Sequence, residues 1–393
     1  MKVFSYIPTP GGLTGAPRRL LTLAAVLHKA GIEMCIATQR DSDLFRAAEK
    51  QGLETAAVEP VGVLGQRHGA LFGGNIVFRL KTVFSLAVQN VGIARSIRKQ
   101  GADVVWIRSS KGIAFAGLGA LLSRRPLVWD VDYELPSRGV VRWLHRLGLW
   151  MSKAVVFQYA AAPTEIFGEA LASRYSEKYH AIIPGIDLAK LEKHRLARAK
   201  REKEDDQPFV ILQVGTVCDR KNQALMIEAL ERLQQNASVG QIRLQVAGGV
   251  FEEEYAEQLR RRIAENGLEG TVQWLGWRDD IHDLMVKADL LVMPSKDEGV
   301  PNTVQEAMYI GLPVVVSEGG GMPEAVTDGE TGWVVSVDEP GVWADRIGGA
   351  ARDPDRCREL GAAASQYATA HFGTENWGAE YAGVIRSVQK AEK

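Results

Sequence analysis

The sequence predicts an α/β protein built of two doubly wound, Rossmann-like domains that face each other across a cleft. At 393 residues the chain is too long for one ordinary hydrophobic core. Short apolar runs alternate with helical patterns in two separate series, which indicates two parallel sheets with helices on both faces. Ligands of such sheets bind at the carboxyl ends of the strands, so we expect the functional site there.

The first domain is predicted to span residues 1–187. It opens with a strand at Val3–Ile7, a tight loop containing Gly11 and Gly12, and a helix from Pro17 to Ala30 with apolar residues at helical spacing. Further strands are predicted at Glu33–Thr38, Asp103–Ile107, Leu127–Val131 and Ala154–Phe157.

Residues 188–206 are densely charged and are predicted to form a linker, with a solvated helix as the alternative. The second domain is predicted at 207–376, and a last helix at 377–393 is placed where it can cross back onto the first domain. The second series of strands is predicted at Phe209–Val214, Arg243–Val246, Val272–Leu275, Leu290–Met293, Val314–Ser317 and Gly332–Val335.

The composition is that of a soluble globular protein, with 46% hydrophobic and 24% charged residues. Cys35, Cys218 and Cys357 lie far apart and lack metal-ligand or disulfide spacing, which indicates small buried side chains in a reducing compartment. No signal segment is visible, and no uninterrupted apolar stretch is long enough for a transmembrane helix. We therefore expect a cytoplasmic protein.

Positive charge is concentrated in one part of the chain. Residues 60–164 contain 14 Lys and Arg against four acids, although the net charge of the whole chain is −1. Within this part, 76–99 and 140–153 are amphipathic and suit a membrane interface, with ordinary core helices as the alternative. We expect an anionic membrane surface or a lipid-linked phosphate as partner rather than nucleic acid, and a peripheral position on the inner face of the membrane.

Two glutamates, Glu298 and Glu306, flank a turn that opens a helix. Free amides at a helix N-terminus favour an anion such as phosphate, and carboxylates accept hydrogen bonds from hydroxyl groups. The pattern therefore indicates a nucleotide-sugar site. Asn302 or Thr303 is expected to cap the helix. The turn and the first helical residues are Gly299, Val300, Pro301, Asn302 and Thr303.

A second candidate element is the loop that follows the strand Phe209–Val214. Arg220 and Lys221 in this loop can hold a diphosphate, Arg by a forked contact and Lys as a point charge. An exposed charged turn is the alternative.

Two further alternatives compete with these assignments. Thr303–Glu306 also fits a capping box, in which Glu306 would bond only to the helix backbone. Asp130 and Asp132 follow a predicted strand and could hold a divalent metal against a nucleotide diphosphate, or be ordinary polar residues at a strand edge.

From about residue 181 to 335 the sequence resembles the retaining family-4 glycosyltransferases of the GT-B fold. The resemblance rests on Glu298 and Glu306 with seven residues between them, and on the helix and strand that follow. It also rests on Lys221 after Gly215, on the glycine pair at Gly248, and on the segment 320–324. The first 180 residues resemble the family only through the loop at Gly11 and Gly12 and the helix after it.

The resemblance implies that Glu306 binds the ribose hydroxyls of the donor and that Glu298 contacts the donor sugar. Lys221, Arg220 and the amides of 300–303 would hold the diphosphate. The implied catalytic residues are Glu298, Lys221 and Arg220. The implied donor-binding residues are Glu306, Gly299, Val300, Pro301, Asn302, Thr303, Gly215, Gly248, Gly11 and Gly12.

The sequence departs from the family pattern in three places, one of which is Pro184, which stands before Gly185 where the family usually has an asparagine. Thr216 stands where the family has an arginine, and Asp130 and Asp132 stand in the region where members often carry a histidine. These departures leave open whether Arg220 supplies the missing positive charge.

We therefore predict transfer of a hexosyl or N-acetylhexosaminyl group from a nucleotide diphosphate sugar, by default a UDP-sugar, to an acceptor hydroxyl. The resemblance implies retention at the anomeric carbon, and the acceptor is expected to be a glycan or lipid-linked molecule of the cell envelope. No metal or other cofactor is expected, because fixed cations and amides would stabilise the leaving group. The alternatives are a non-catalytic nucleotide-sugar-binding subunit of a glycan assembly complex and a metal-dependent transferase that uses Asp130 and Asp132.

Overall fold

The structure, a computed structural model, describes residues 1–8, 15–65, 75–131, 139–202, 207–234 and 240–390. The chain divides into two compact units. Unit 1 comprises Met1–Pro184 and Thr374–Lys393, and unit 2 comprises Gly185–Gly373.

Unit 1 is built on a seven-stranded parallel sheet with the strand order β3-β2-β1-β4-β5-β6-β7. The strands are β1 (Lys2–Tyr6), β2 (Glu33–Thr38), β3 (Thr55–Ala57), β4 (Val104–Arg108), β5 (Leu127–Asp130), β6 (Ala154–Phe157) and β7 (Tyr179–Ala181). The helices are α1 (Gly15–Lys29), α2 (Asp43–Lys50), α3 (Ile76–Lys99), α4 (Ser109–Gly112), α5 (Leu118–Ser123), α6 (Gly139–Met151), α7 (Ala162–Phe167) and α8 (Glu169–Arg174). A π-helical turn at Ile113–Gly117 joins α4 to α5.

The sheet of unit 1 is covered on both faces, as its apolar strands require. On one face, residues of α3, α5, α6 and α7 pack with the turn 113–117 in one core that includes Ile93, Phe115 and Leu149. On the other face, α1 and α2 pack in a second core that includes Leu23 and Leu44.

Unit 2 is built on a six-stranded parallel sheet with the order β10-β9-β8-β11-β12-β13. The strands are β8 (Phe209–Val214), β9 (Ile242–Ala247), β10 (Val272–Gly276), β11 (Leu290–Met293), β12 (Val314–Ser317) and β13 (Trp333–Val335). The helices are α9 (Leu188–Ala199), α10 (Gln223–Gln234), α11 (Glu253–Glu265), α12 (Ile281–Lys287), α13 (Asn302–Ile310), α14 (Met322–Ala325), α15 (Pro340–Arg352) and α16 (Pro354–His371).

Of the predicted charged segment 188–206, the first 12 residues form helix α9, as the helix alternative predicted, and they belong to unit 2 instead of linking the two units. The segment belongs to unit 2 because its charged side chains bind groups on other helices of that unit. The guanidinium of Arg198 is buried and donates to the backbone carbonyls of Met285, Val286 and Gly311, at the ends of α12 and α13. Burial lowers the pKa of Arg198 to about 10, so it stays charged at neutral pH and holds the two helix ends together.

The last helix, α17 (Thr374–Lys390), belongs to unit 1 and packs against α1. Trp377, Tyr381 and Ile385 lie in the same core as Leu23 and Leu44. The Tyr381 hydroxyl donates to Asp130 Oδ2 over 3.0 Å at the end of β5. The two ends of the chain therefore complete one unit together.

Candidate active site

The loop after β8 places Lys221 over the end of that strand. A short helical turn covers Asp219–Lys221, and Asn222 then takes the left-handed conformation with φ 54°. The buried side-chain amide of Gln213 donates to the Lys221 carbonyl over 3.0 Å. A Cβ at Gly215 would lie 2.9 Å from Lys221 Cε, so a glycine there leaves room for the lysine stem.

The structure brings the three predicted catalytic residues together. Lys221 Nζ lies 2.6 Å from Glu298 Oε1, and the guanidinium of Arg220 contacts the same oxygen and also donates to the Asp297 carbonyl over 3.1 Å. The side chains of Lys221 and Glu298 are only 13% and 15% exposed, so their attraction is screened less than that of a surface pair. Lys221 therefore does not lie in an exposed charged turn.

The glycine-rich segment 319–321 packs closely against the Glu298 loop. Gly320 has φ +67°, and a Cβ there would lie 1.8 Å from the Glu298 carbonyl oxygen. The amide of Gly321 donates to that carbonyl over 2.9 Å. The loops after β8 and β9 approach each other just as closely, because a Cβ at Gly248 would lie 1.9 Å from the Gly215 carbonyl oxygen. These glycines let two pairs of backbone segments approach closely, Gly320 with Glu298 and Gly248 with Gly215.

Helix α13 begins next to Glu298 and has no side-chain cap. Its N-cap residue is Pro301, so the expected capping by Asn302 or Thr303 is wrong. Proline supplies an extended φ of −70° before the helix but no oxygen on its side chain to accept from the first-turn amides. The N-terminus of α13 thus presents positive partial charge on the same side of unit 2 as Lys221 and Arg220.

Glu306 lies one turn into α13 and pairs with His282 of α12. Its Oε2 lies 3.2 Å from His282 Nε2. The capping-box alternative is therefore wrong, because the carboxylate turns to a neighbouring helix instead of its own N-terminus. His282 is a site residue that the sequence reasoning missed: no ligand spacing marks it, and only the packing of α12 on α13 brings it to Glu306.

A second histidine stands behind this pair. The ring of His194 lies 5.2 Å from that of His282, centroid to centroid, and its Nε2 lies 3.3 Å from Asp283 Oδ1. Burial lowers the pKa of His194, and the nearby His282 and Lys193 act in the same direction while Asp283 opposes them. A neutral His194 adds no positive charge beside His282 at physiological pH.

The other predicted site residues fall outside this cluster. Gly11, Gly12 and Asp132 lie outside the residues that the structure describes. Asp130 is buried in unit 1 and accepts from Tyr381. Among the described residues, no group of three or more His, Cys, Asp or Glu side chains is arranged to hold a metal ion.

The site thus combines two cations, a carboxylate fixed between them, a helix N-terminus and a second carboxylate on that helix. Cations and amides favour a diphosphate, and the carboxylates can accept from sugar hydroxyls. Two units of this kind, each with a parallel sheet and helices on both faces, are the architecture of the GT-B fold.

Comparison with known proteins shows similarity to glycosyltransferases. Residues 195–367 match the family "Glycosyl transferases group 1". The chain is 30% identical over 188 residues to the putative glycosyltransferase EpsD of Bacillus subtilis (strain 168), which covers 47% of this chain and 45% of EpsD. The aligned part thus spans about half the length of that relative.

Two longer matches agree with this assignment. The chain is 28% identical over 323 residues to a GDP-mannose-dependent alpha-(1-6)-phosphatidylinositol monomannoside mannosyltransferase of Mycobacterium tuberculosis (strain CDC 1551 / Oshkosh), which covers 76% of this chain and 79% of the relative. The crystal structure of Anabaena Alr3699/HepE in complex with UDP and glucose superposes with a TM-score of 0.75 at 21% identity, over 98% of this chain and 100% of that one. Most of unit 2 thus matches the group 1 glycosyltransferase family, and the chain has the GT-B fold.

Proposed function

We propose that the protein transfers a sugar from a nucleotide diphosphate sugar to a hydroxyl of a glycan or lipid-linked acceptor. The observation that carries this proposal is the contact of Lys221 and Arg220 with one oxygen of Glu298, beside the N-terminus of α13. The names of the relatives support it, since they include a mannosyltransferase and a structure with UDP and glucose.

The charges at the site suit a leaving nucleotide diphosphate. Two cations and one carboxylate leave a net charge of +1, to which the N-terminus of α13 adds positive partial charge. As the sugar departs, negative charge grows on the diphosphate, and Lys221 and Arg220 are already held in place to stabilise it. Because the same two cations hold Glu298, its carboxylate is fixed beside the position that the sugar would occupy.

Glu306 is proposed to bind the ribose of the donor. Its pairing with His282 fixes the carboxylate on one side and leaves it partly exposed, at 23% of the side chain. A carboxylate in this position can accept from both vicinal hydroxyls of a ribose. UDP is the donor nucleotide that we favour, and GDP is the competitor that the mannosyltransferase name introduces.

Substitution at Lys221 tests the proposal. Lys221→Ala is expected to lower kcat/KM by about 10²–10³-fold, the usual cost of removing one donor to a developing anion. Lys296→Ala is the matched control, because Lys296 pairs with the exposed Asp219 in the same region. Glu298→Gln is expected to lower turnover strongly with little change in donor binding. Near wild-type turnover of both site variants would exclude the proposed site.

Separate measurements test the finer parts of the proposal. Titration calorimetry against a panel of UDP- and GDP-sugars identifies the donor. NMR of the first product tests retention at the anomeric carbon. EDTA is expected to leave the rate unchanged, since Lys221 and Arg220 take the part that a metal has in other transferases. Donor binding without transfer to any acceptor would instead favour a nucleotide-sugar-binding subunit.

A further inference from the structure

Helix α3 of unit 1 turns its apolar side chains outward over most of its length. The stripe recurs at i, i+3, i+4 and i+7, and its large members are between 40% and 72% exposed. They are Ile76, Val77, Leu80, Val83, Phe84, Val88 and Val91. The side that faces the protein over the same turns is polar and consists of Thr82, Ser85, Gln89 and Asn90.

The inward polar residues hold α3 in this orientation. Gln89 Oε1 accepts from the amide of Val61 over 3.0 Å. The side chain of Asn90 donates to the Ala114 carbonyl over 3.1 Å and accepts from the amide of Gly119 over 2.8 Å. Rotation of the helix to bury its apolar stripe would break these bonds and leave the buried partners unsatisfied. The outward apolar face is therefore specified by the structure.

The neighbouring helices extend this apolar surface. Leu118, Leu121 and Leu122 of α5 are between 38% and 50% exposed, and α5 packs directly on α3. Trp143 and Trp150 of α6 are 68% and 63% exposed. Since α3, α5 and α6 cover the same face of the sheet, their exposed apolar residues lie on one side of unit 1.

The charges around this surface are mainly basic, although Glu59 lies in the groove beside Val88 and Val91 of α3. At 100° per residue, Arg79 and Lys81 flank the apolar stripe of α3, and Arg98 and Lys99 continue it at the last turn. Residues 61–102, 104–129 and 139–164 contain no Asp or Glu. The helices on the opposite face carry acids, for example Asp43 of α2 and Glu380 of α17. An anionic partner complements the first face and not the second.

We propose that the face formed by α3, α5 and α6 binds the surface of an anionic lipid bilayer, with α3 lying in the interface plane. Exposed Trp and Leu enter the acyl boundary while Arg and Lys reach the headgroups. By length and hydropathy α3 could cross a membrane. Its bonds through Gln89 and Asn90, and the burial of Ile93 and Ile97, keep it on the unit instead.

A second copy of the chain fits this face less well, because two basic faces would repel each other. The proposal rests on unit 1 alone and does not depend on the transfer reaction.

Vesicle flotation of the full chain tests the apolar part of the proposal. Binding is expected to vesicles of phosphatidylcholine with about one third phosphatidylglycerol and not to phosphatidylcholine alone. Leu80→Ser with Phe84→Ser is expected to lower the partition coefficient at least about tenfold, because two exposed apolar groups leave the interface. Val342→Ser, at an exposed position on α15 of unit 2, is the control and should bind like the wild type.

The charged part is tested with a second pair of variants. Arg79→Gln with Lys81→Gln is expected to weaken binding about 30-fold at low salt, from about 1 kcal/mol for each basic residue near the surface. The control is Lys29→Gln with Lys50→Gln, two exposed lysines on the opposite face of unit 1. All these side chains are exposed, so circular dichroism should show unchanged folding.

Three results would overturn the proposal. The first is failure to float with either vesicle. The second is binding that lacks the expected dependence, either because neutral and anionic vesicles bind equally or because both double variants bind like the wild type. The third is a lipid-free dimer in analytical ultracentrifugation that Leu80→Ser with Phe84→Ser converts to a monomer, which would assign the face to a second copy.

Discussion

At the scale of single residues, a sequence motif can mark the members of a candidate site. Here it marked Lys221, Arg220 and Glu298. The spacing of Glu298 and Glu306 and the Lys after a glycine loop were visible in the sequence, and the structure joins Lys221, Arg220 and Glu298 at one carboxylate oxygen. His282 was not visible, because its relation to Glu306 depends on how α12 packs against α13. A motif thus marks the residues of a site but not the partners that orient them.

His282 is predicted to position Glu306 for the donor ribose. His282→Ala removes the partner 3.2 Å from the Glu306 carboxylate and leaves that side chain freer to rotate. The expected result is a five- to tenfold higher KM for the donor with nearly unchanged kcat. This pattern means that donor binding is weakened by about 1 kcal/mol. Steady-state kinetics with varied donor measures it.

The neighbouring Asp283→Asn is the control for this prediction. It removes the negative charge beside His194 but leaves the pair of His282 and Glu306 in place. If both variants raised KM equally, the effect would come from α12 as a whole rather than from His282.

Gly320 is predicted to be required because of the backbone of Glu298. In Gly320→Ala the new Cβ would lie 1.8 Å from the Glu298 carbonyl oxygen, so the loop must move and carry the carboxylate away from Lys221. We expect at least about a hundredfold lower kcat/KM, since small displacements of positioned groups are costly. An activity assay beside thermal unfolding measures both consequences.

Gly267→Ala separates this steric effect from backbone strain. Gly267 has a similar φ of +64°, but a Cβ there meets nothing within 4 Å. It should cost about 1–2 kcal/mol of stability from the left-handed conformation and leave activity intact. Loss of activity in both variants would contradict the assigned role of Gly320.

At the scale of elements, apolar runs predicted the strands well. The predicted strands at 33–38, 154–157, 209–214, 290–293 and 314–317 coincide with β2, β6, β8, β11 and β12. The strands β3 and β7 were missed because their three residues, Thr-Ala-Ala and Tyr-His-Ala, form no apolar run, whereas the equally short edge strand β13 is Trp-Val-Val and was predicted.

Two helices show what the pattern leaves undetermined. The charged composition of α9 predicted a solvent-exposed segment. Its charges instead have specific partners in unit 2, such as the carbonyls to which Arg198 donates. For α3 the periodicity predicts two faces but not which of them is buried. The polar contacts of Gln89 and Asn90 decide that, and they depend on segments distant in sequence.

Helix α9 also gives unit 2 a predictable response to acid. Arg195 donates two hydrogen bonds to the Glu192 carboxylate and the Tyr309 hydroxyl donates another over 2.7 Å, which together hold the pKa of Glu192 at about 2. Since the folded-state pKa lies below the ordinary 4.5, this carboxylate contributes stability above about pH 4.5. The contribution is lost as the pH falls towards 2.

Glu192→Gln should therefore lower the urea midpoint of unfolding at pH 7 and have a smaller effect near pH 3. The comparison is a series of urea titrations of both proteins from pH 7 downward. Tyr309→Phe removes one of the three hydrogen bonds and should show the same trend with smaller size. A difference between wild type and Glu192→Gln that stays constant with pH would contradict this account.

At the scale of the whole molecule, the end of the chain is part of its first unit. Unit 2 is one continuous segment, Gly185–Gly373, inserted between the sheet of unit 1 and its last helix. Helix α17 contributes Trp377, Tyr381 and Ile385 to the core beneath α1. Unit 1 is thus complete only after the chain has passed through unit 2, so changes at Gly378 should act on Val26, 352 positions earlier (378 − 26).

Two glycines of α17 allow a matched test of this dependence. A Cβ at Gly378 would lie 2.1 Å from Val26 Cγ1 of α1, whereas a Cβ at Gly383 meets nothing within 4 Å. Both substitutions to Ala gain about 1 kcal/mol of helix propensity. Gly383→Ala should therefore be neutral or stabilising. Gly378→Ala must push α17 off α1, at a cost of about 1–3 kcal/mol from overpacking, which offsets or outweighs the gain.

Hydrogen exchange read peptide by peptide distinguishes the units. In Gly378→Ala we expect faster exchange in α1, β4 and β5, which pack with α17, and unchanged exchange in β8 to β13. The candidate site residues should keep their protection, because they belong to unit 2 whereas α17 belongs to unit 1. Faster exchange throughout both units would mean that they unfold as one cooperative body, and no change in unit 1 would mean that α17 is dispensable to it.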